Sequence, residues 1–235
     1  MFSGQRQFSA YGPSYWGAIA VFVVGAALLV WLGRRQTESQ SRRFGRIVGG
    51  FTAALYGSVL VYSVIPPSLD RSLPLHLTDL ATATSAYAWW SQRHWAFALT
   101  YFWGLSLSAQ ALISPALRGP DFPHPQFLGF WAIHLLVVWA AIYLTWGRRM
   151  RPDWRSYRIA VVVTLAWATI TFTVNRIAGT NYGFLNGKPS TASLLDVLGP
   201  WPIYLLVGGT LVFSVWAMMT WPWVRTEGSI RRSDA

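Results

Sequence analysis

The stretch Leu73-Pro74-Leu75-His76-Leu77-Thr78-Asp79-Leu80 sets two ionisable side chains into an otherwise apolar run. His76 and Asp79 are about one helical turn apart, so a helix through them presents both on one face. An ionisable group at a bilayer centre costs roughly 2.5–3.5 kcal/mol on insertion scales and is retained where partners surround it, at a cavity or a functional site. The rest of the chain identifies those surroundings as a membrane. Of its 235 residues 53% are hydrophobic, 16% aromatic and only 11% charged, too apolar for a soluble domain. Seven runs carry the hydrophobicity, near 15–33, 46–65, 74–91, 95–117, 127–146, 157–176 and 201–221. Each approaches the roughly 20 residues a helix needs to span the hydrocarbon. The expected fold is all-α: a polytopic cell-membrane protein with seven transmembrane helices, forming a single domain over 1–235.

The formal charge of +11 is concentrated in short segments flanking the apolar runs. With the N-terminus outside and the C-terminus cytoplasmic, fourteen arginines fall on the inner side: Arg34, Arg35, Arg42, Arg43, Arg46, Arg93, Arg148, Arg149, Arg151, Arg155, Arg158, Arg225, Arg231 and Arg232. Five basic residues, Arg6, Arg71, Arg118, Arg176 and Lys188, remain outside. This is the positive-inside distribution, and it accounts for the charge without nucleic acid as a partner. Cysteine is absent, which excludes a disulfide framework, a zinc–thiolate centre and a cysteine nucleophile. The first run has its arginines after it rather than before it, as expected for a retained helix and not a signal peptide. The connector 34–46, rich in Ser, Gln and Arg, reads as a solvated loop.

Polar residues on the other runs point to the same end of the molecule. Thr78, Thr82 and Ser85 continue a stripe along the third run, where back-bonding to helix carbonyls is the bland alternative. Gln110 lies on a stripe with Ser106 and Ser114, readable as a pocket wall or as helix-packing glue. His134 sits about two turns below the outer end of the fifth run, and Asn175 closes the sixth. His94 and His124 read as interfacial and surface residues. The loop 180–202 exceeds a simple connection and carries turn clusters, a candidate cap at Ser190 and a short helix over 191–198, the pattern of a lid. It would bring Asn181, Lys188 and Asp196, with Asp196 holding Lys188 or capping the network of the third helix. Lys188 is the only lysine, so the seventh run has none and a retinal Schiff base is excluded. The outward bias of polar groups suits a pocket open to the outside better than a through-going transport path.

The blocks Leu73–Asp79, Gln110-Ala111-Leu112-Ile113-Ser114-Pro115, His134, Asn181-Tyr182, Lys188-Pro189, Ser193-Leu194-Leu195-Asp196 and Gly199-Pro200-Trp201-Pro202 resemble the YwaF-like bacterial integral membrane proteins. The resemblance spans the third to seventh runs, about half the chain. It implies a distant similarity to a eukaryotic transmembrane group that moves fatty acyl chains between phospholipids with a membrane cysteine as acyl carrier. This chain departs from that pattern, with Thr78 where the family often has cysteine. A threonine hydroxyl needs an adjacent base to act as a nucleophile.

Two classes of function follow. In the first, a lipid acyltransferase or hydrolase, Thr78 is the nucleophile and His134 or His76 the general base. Asp79 orients the imidazole, and Gln110 with Asn175 polarises an ester carbonyl. In the second, a non-enzymatic membrane protein binds or senses a lipid or small ligand through the same residues, with Asn181, Lys188 and Asp196 as further contacts. A transporter is a lesser alternative. His76, Asp79 and His134 could supply metal ligands, but no metal-spacing motif accompanies them, and no cofactor is expected. The partners expected are membrane lipids, and no pattern fixes an oligomeric state.

Overall fold

The computed structural model describes residues 6–70, 72–189 and 194–233, with side chains for all of these except 194 and 226–233. Seven long helices carry the fold: α1 (Pro13–Arg35), α2 (Glu38–Ser63), α3 (Leu77–Ser91), α4 (His94–Ile113), α5 (Pro125–Gly147), α6 (Trp154–Ala178) and α7 (Ile203–Ser233). Six of them are long and apolar enough to cross a membrane, all but α3, among the described residues. α4 and α5 each include a π-helical turn, at Trp103–Ser108 and Tyr143–Gly147.

Several boundaries differ from the sequence expectation: α4 ends at Ile113 rather than 117, α7 runs to Ser233 rather than 221, and two helix starts differ for reasons of capping. α2 begins at Glu38, so most of the expected 34–46 loop is helix. A capping box explains it: the Gln40 N–H donates to Thr37 Oγ1 at 3.3 Å while the Thr37 N–H donates to Gln40 Oε1 at 2.9 Å, satisfying two donors at the helix start. An Arg42–Glu38 ion pair one turn apart adds to it. α3 has 15 residues and begins at Leu77 rather than at residue 74. His76 precedes its first turn, and the Asp79 carboxylate accepts the His76 backbone N–H at 2.9 Å, the acidic half of a capping box. Pro74 helps to hold the preceding residues out of the helix.

The chain divides into two compact units, Met1–Val59 with Ala81–Met150 and Leu60–Leu80 with Arg151–Ala235. In the first, glycines let helices approach closely. A methyl added at Gly45 would sit 2.3 Å from the Trp89 carbonyl oxygen, and one at Gly49 2.6 Å from that of Ala86. α2 and α3 thus meet backbone to backbone. Gly33 and Gly147 bring α1 onto α5, where Arg148 donates to the Gly33 and Gln36 carbonyls at 3.1 Å each, serving the otherwise unpaired acceptors at the end of α1. Phe44, Trp89 and Tyr143 pack ring on ring between α2, α3 and α5. A second cluster gathers Tyr15, Leu112, Phe127, Trp131, Leu135 and Val138.

In the second unit α6 starts with an Asp153–Ser156 capping box and stops at Gly179, whose φ of 68° is a left-handed cap. Past it the chain makes a short 3₁₀ turn, Tyr182–Phe184. Leu194–Leu198 is also 3₁₀, within the stretch 191–198 where a short helix was expected. Ser190, Thr191 and Ser193 lie outside the described residues, as does Arg71.

Candidate functional site

The second unit holds most of the candidate residues, with His76, Thr78 and Asp79 at the end of one irregular segment, residues 72–76. Two aromatic side chains hold its backbone. Tyr182 receives the Leu73 N–H at 3.1 Å on its hydroxyl oxygen and donates that hydroxyl to the Leu69 carbonyl at 2.6 Å. Trp167, in the middle of α6, donates its indole N–H to the Leu75 carbonyl at 3.0 Å. The His76 ring then meets the Tyr182 ring edge-on at a centroid distance of 5.0 Å. His76 and Asp79 are half-buried, and Thr78 is exposed on the first turn of α3.

Asn175 is the node that sets Tyr182 in place. Its side chain is 1% exposed. Its amide donates to the Tyr182 carbonyl at 2.9 Å and to Asn186 Oδ1 at 3.4 Å. Its oxygen accepts the Thr180 hydroxyl at 2.8 Å and the Tyr182 N–H at 2.9 Å. Asn181 folds the next turn, donating to the Gly187 carbonyl at 2.8 Å and accepting the Asn186 N–H at 3.1 Å. Gly183 sits at φ 65° with its α-carbon against Trp167, where a methyl would come within 2.8 Å of the ring. Both the backbone angle and the contact call for glycine.

Lys188 and Asp196 are brought together as expected. The ammonium lies 3.8 Å from Asp196 Oδ1, donates to the Asp196 backbone carbonyl at 3.4 Å, and rests 5.8 Å above the Tyr204 ring. Tyr204 in turn donates to the Phe184 carbonyl, and the Trp201 indole donates to the Leu185 carbonyl at 3.1 Å.

His134 and Gln110 belong to the first unit. His134 Nδ1 is 2.7 Å from the Phe130 carbonyl, and its ring packs against Phe130 at 4.4 Å. A carbonyl can only accept, so that bond places the proton on Nδ1. In the neutral imidazole Nε2 is then the nitrogen with the lone pair. Gln110 is exposed on α4, one turn before the helix ends at Ile113. Thr82 and Ser85 are fully buried, with the Ser85 hydroxyl bonded to the Thr82 carbonyl at 2.8 Å. Among the described residues no three His, Cys, Asp or Glu side chains gather as metal ligands.

Three of the residues that build this arrangement were absent from the sequence expectation: Trp167, Thr180 and Asn186. Trp167 had a legible signal. Its indole lies mid-helix, away from the interfacial positions that tryptophan favours, and an N–H there needs a partner. Thr180 and Asn186 looked like ordinary turn residues.

No curated protein and no solved structure matches the chain. Its long, apolar and outwardly exposed helices are those of a multi-pass membrane protein, and the TMEM164 family model matches residues 10–220, so the chain belongs to the TMEM164 family.

Proposed function

We propose that this protein binds a membrane lipid, or another small amphipathic ligand, at the segment around His76, in the outer half of the cell membrane. The observation that carries the reading is the irregular backbone of residues 72–76, held by Tyr182 and Trp167. Non-helical backbone in a membrane protein is tolerated where it is buried in protein or lines a cavity. Here it ends in a half-buried imidazole, which can donate to or accept from a ligand headgroup. Two of the candidate site residues also support the scaffold. Asp79 caps His76's own backbone N–H, and all four hydrogen-bonding positions of Asn175 are occupied. The loop 180–202, with its Lys188–Asp196 pair, is the lid of this reading.

The experiment is a lipid panel with purified protein. Lipids from a total membrane extract are scored by retention on wild type and on His76→Gln. A lipid class retained by wild type and lost from His76→Gln supports the reading. The same classes retained equally by both overturn it.

A second reading is transfer or hydrolysis of a phospholipid acyl ester, with Thr78, exposed on the first turn of α3, as the nucleophile. In it Thr78 attacks the ester carbonyl, its proton passing to a histidine and on to the departing lysophospholipid alkoxide. Water or a second lipid hydroxyl then releases the acyl group. This reading also carries the YwaF-like resemblance and its acyltransferase link. Purified protein given fluorescent phospholipid should lose turnover in Thr78→Ala and in His76→Ala. Absence of turnover in wild type removes this reading and leaves the binding one standing.

A further inference from the structure

A cavity lies wholly within the first unit, the unit that does not contain His76. Its volume is about 340 Å³, and its lining is Arg42 and Arg46 of α2, Tyr87, Trp90 and Ser91 of α3, and Arg93 of the turn before α4. That volume is within the range of about 300–1,000 Å³ typical of small-ligand sites. We propose that it is a binding site for the phosphate headgroup of an anionic phospholipid.

The close approach of α2 and α3 builds it. Gly45 and Gly49 put the two backbones in contact, and the Gln92 side-chain amide donates to Ser41 Oγ at 2.9 Å and to its carbonyl at 3.3 Å. Arg42 and Arg46, one turn apart on α2, are thereby set beside Arg93. Arg42 is partly neutralised by Glu38. Arg46 and Arg93 are exposed, and among the described residues no carboxylate pairs with either. Ser91 is already committed, donating to the Tyr87 carbonyl at 2.8 Å and accepting the Arg93 N–H at 3.3 Å. The free cationic capacity therefore rests on guanidinium groups, whose planar donor pairs match phosphate oxygens.

The aromatic rim distinguishes a lipid phosphate from a soluble one. Trp90 is 53% and Trp95 44% exposed, and Tyr87 stacks on Trp95 at 5.3 Å. Exposed amphipathic rings at the ends of membrane-crossing helices sit at the headgroup level. Basic pockets between helices at that level recognise anionic headgroups.

The test uses the full-length protein in nanodiscs of phosphatidylcholine mixed with phosphatidylglycerol, read by native mass spectrometry of retained lipid. Wild type should retain phosphatidylglycerol preferentially. Arg46→Gln and Arg93→Gln should each weaken that retention about fivefold, the effect of one basic residue near an anionic surface. The pair Arg149→Gln with Arg151→Gln, outside the lining, should leave it unchanged. Equal retention of both lipids by wild type overturns the proposal whether or not the variants fold. So does an equal loss in the Arg149/Arg151 pair, which would mean diffuse charge rather than a site. Inorganic phosphate that displaces phosphatidylglycerol at matched concentration would assign the cavity to a free anion and overturn the lipid.

Discussion

Asn175 and Tyr182 show how a buried polar pair can serve structure first. The Tyr182 hydroxyl bridges the Leu69 carbonyl and the Leu73 N–H, so Tyr182→Phe strands both groups. A fully buried polar group left unpaired costs about 1–3 kcal/mol, and Leu69 and Leu73 are exposed, so the cost of Tyr182→Phe is at the lower end. Asn175→Ala removes partners from the Tyr182 N–H, the Tyr182 carbonyl and the Thr180 hydroxyl together, and it should cost more. Melting temperatures of the purified protein should fall in the order Asn175→Ala, Tyr182→Phe, wild type, while exposed Gln110→Ala stays at the wild-type value. A Gln110→Ala loss as large as that of Tyr182→Phe would contradict the placement of both. Asn175 was legible as a polar residue at a helix end. Its role was not, because its partners Thr180, Tyr182 and Asn186 lie in a turn whose path the residue types do not dictate.

Among the elements, the α2–α3 seam is the sharpest case of close packing. A methyl at Gly45 meets a backbone carbonyl at 2.3 Å, and no side-chain rotation can relieve a clash with backbone. Gly45→Ala and Gly49→Ala should therefore lower the yield of folded protein. Gly57→Ala has nothing within 4 Å of the new methyl and should be neutral or gain up to about 1 kcal/mol of helix propensity. Folded yield by fluorescence-detected gel filtration checks all three. Small residues recur along α2, but which of them pack was not legible from sequence: Gly45 and Gly49 meet α3, and a methyl at Gly57 meets nothing within 4 Å. The start of α2 was legible, in Thr37-Glu38-Ser39-Gln40, but the polar composition around it outweighed the capping box. In α3 the apolar pattern ran on through Pro74. The helix nevertheless starts after His76, because Asp79 caps that turn and Tyr182 and Trp167 hold the residues before it.

For the whole molecule, the fourteen-to-five split of basic residues favours seven crossings, and α3 is where that count is decided. Its 15 residues reach about 22 Å at the helical rise, short of the roughly 30 Å of hydrocarbon. A seventh crossing through α3 therefore needs the residues before Leu77 to cover the remaining depth. Within the first unit, α3 runs along α2 with Ala86 at Gly49, Trp89 at Gly45 and Gln92 at Ser41. The turn at Gln92-Arg93 is therefore at the same end of α2 as the turn at Gln36-Thr37. Reporter fusions at those two turns and after Arg151 should all report cytoplasm, and one at Ser68 should report the outside. If α3 stayed on one side, the 92–93 fusion would report the outside as Ser68 does, the fusion after Arg151 would switch with it, six crossings would remain, and Arg93 would lie on the face that the charge distribution keeps poor in arginine.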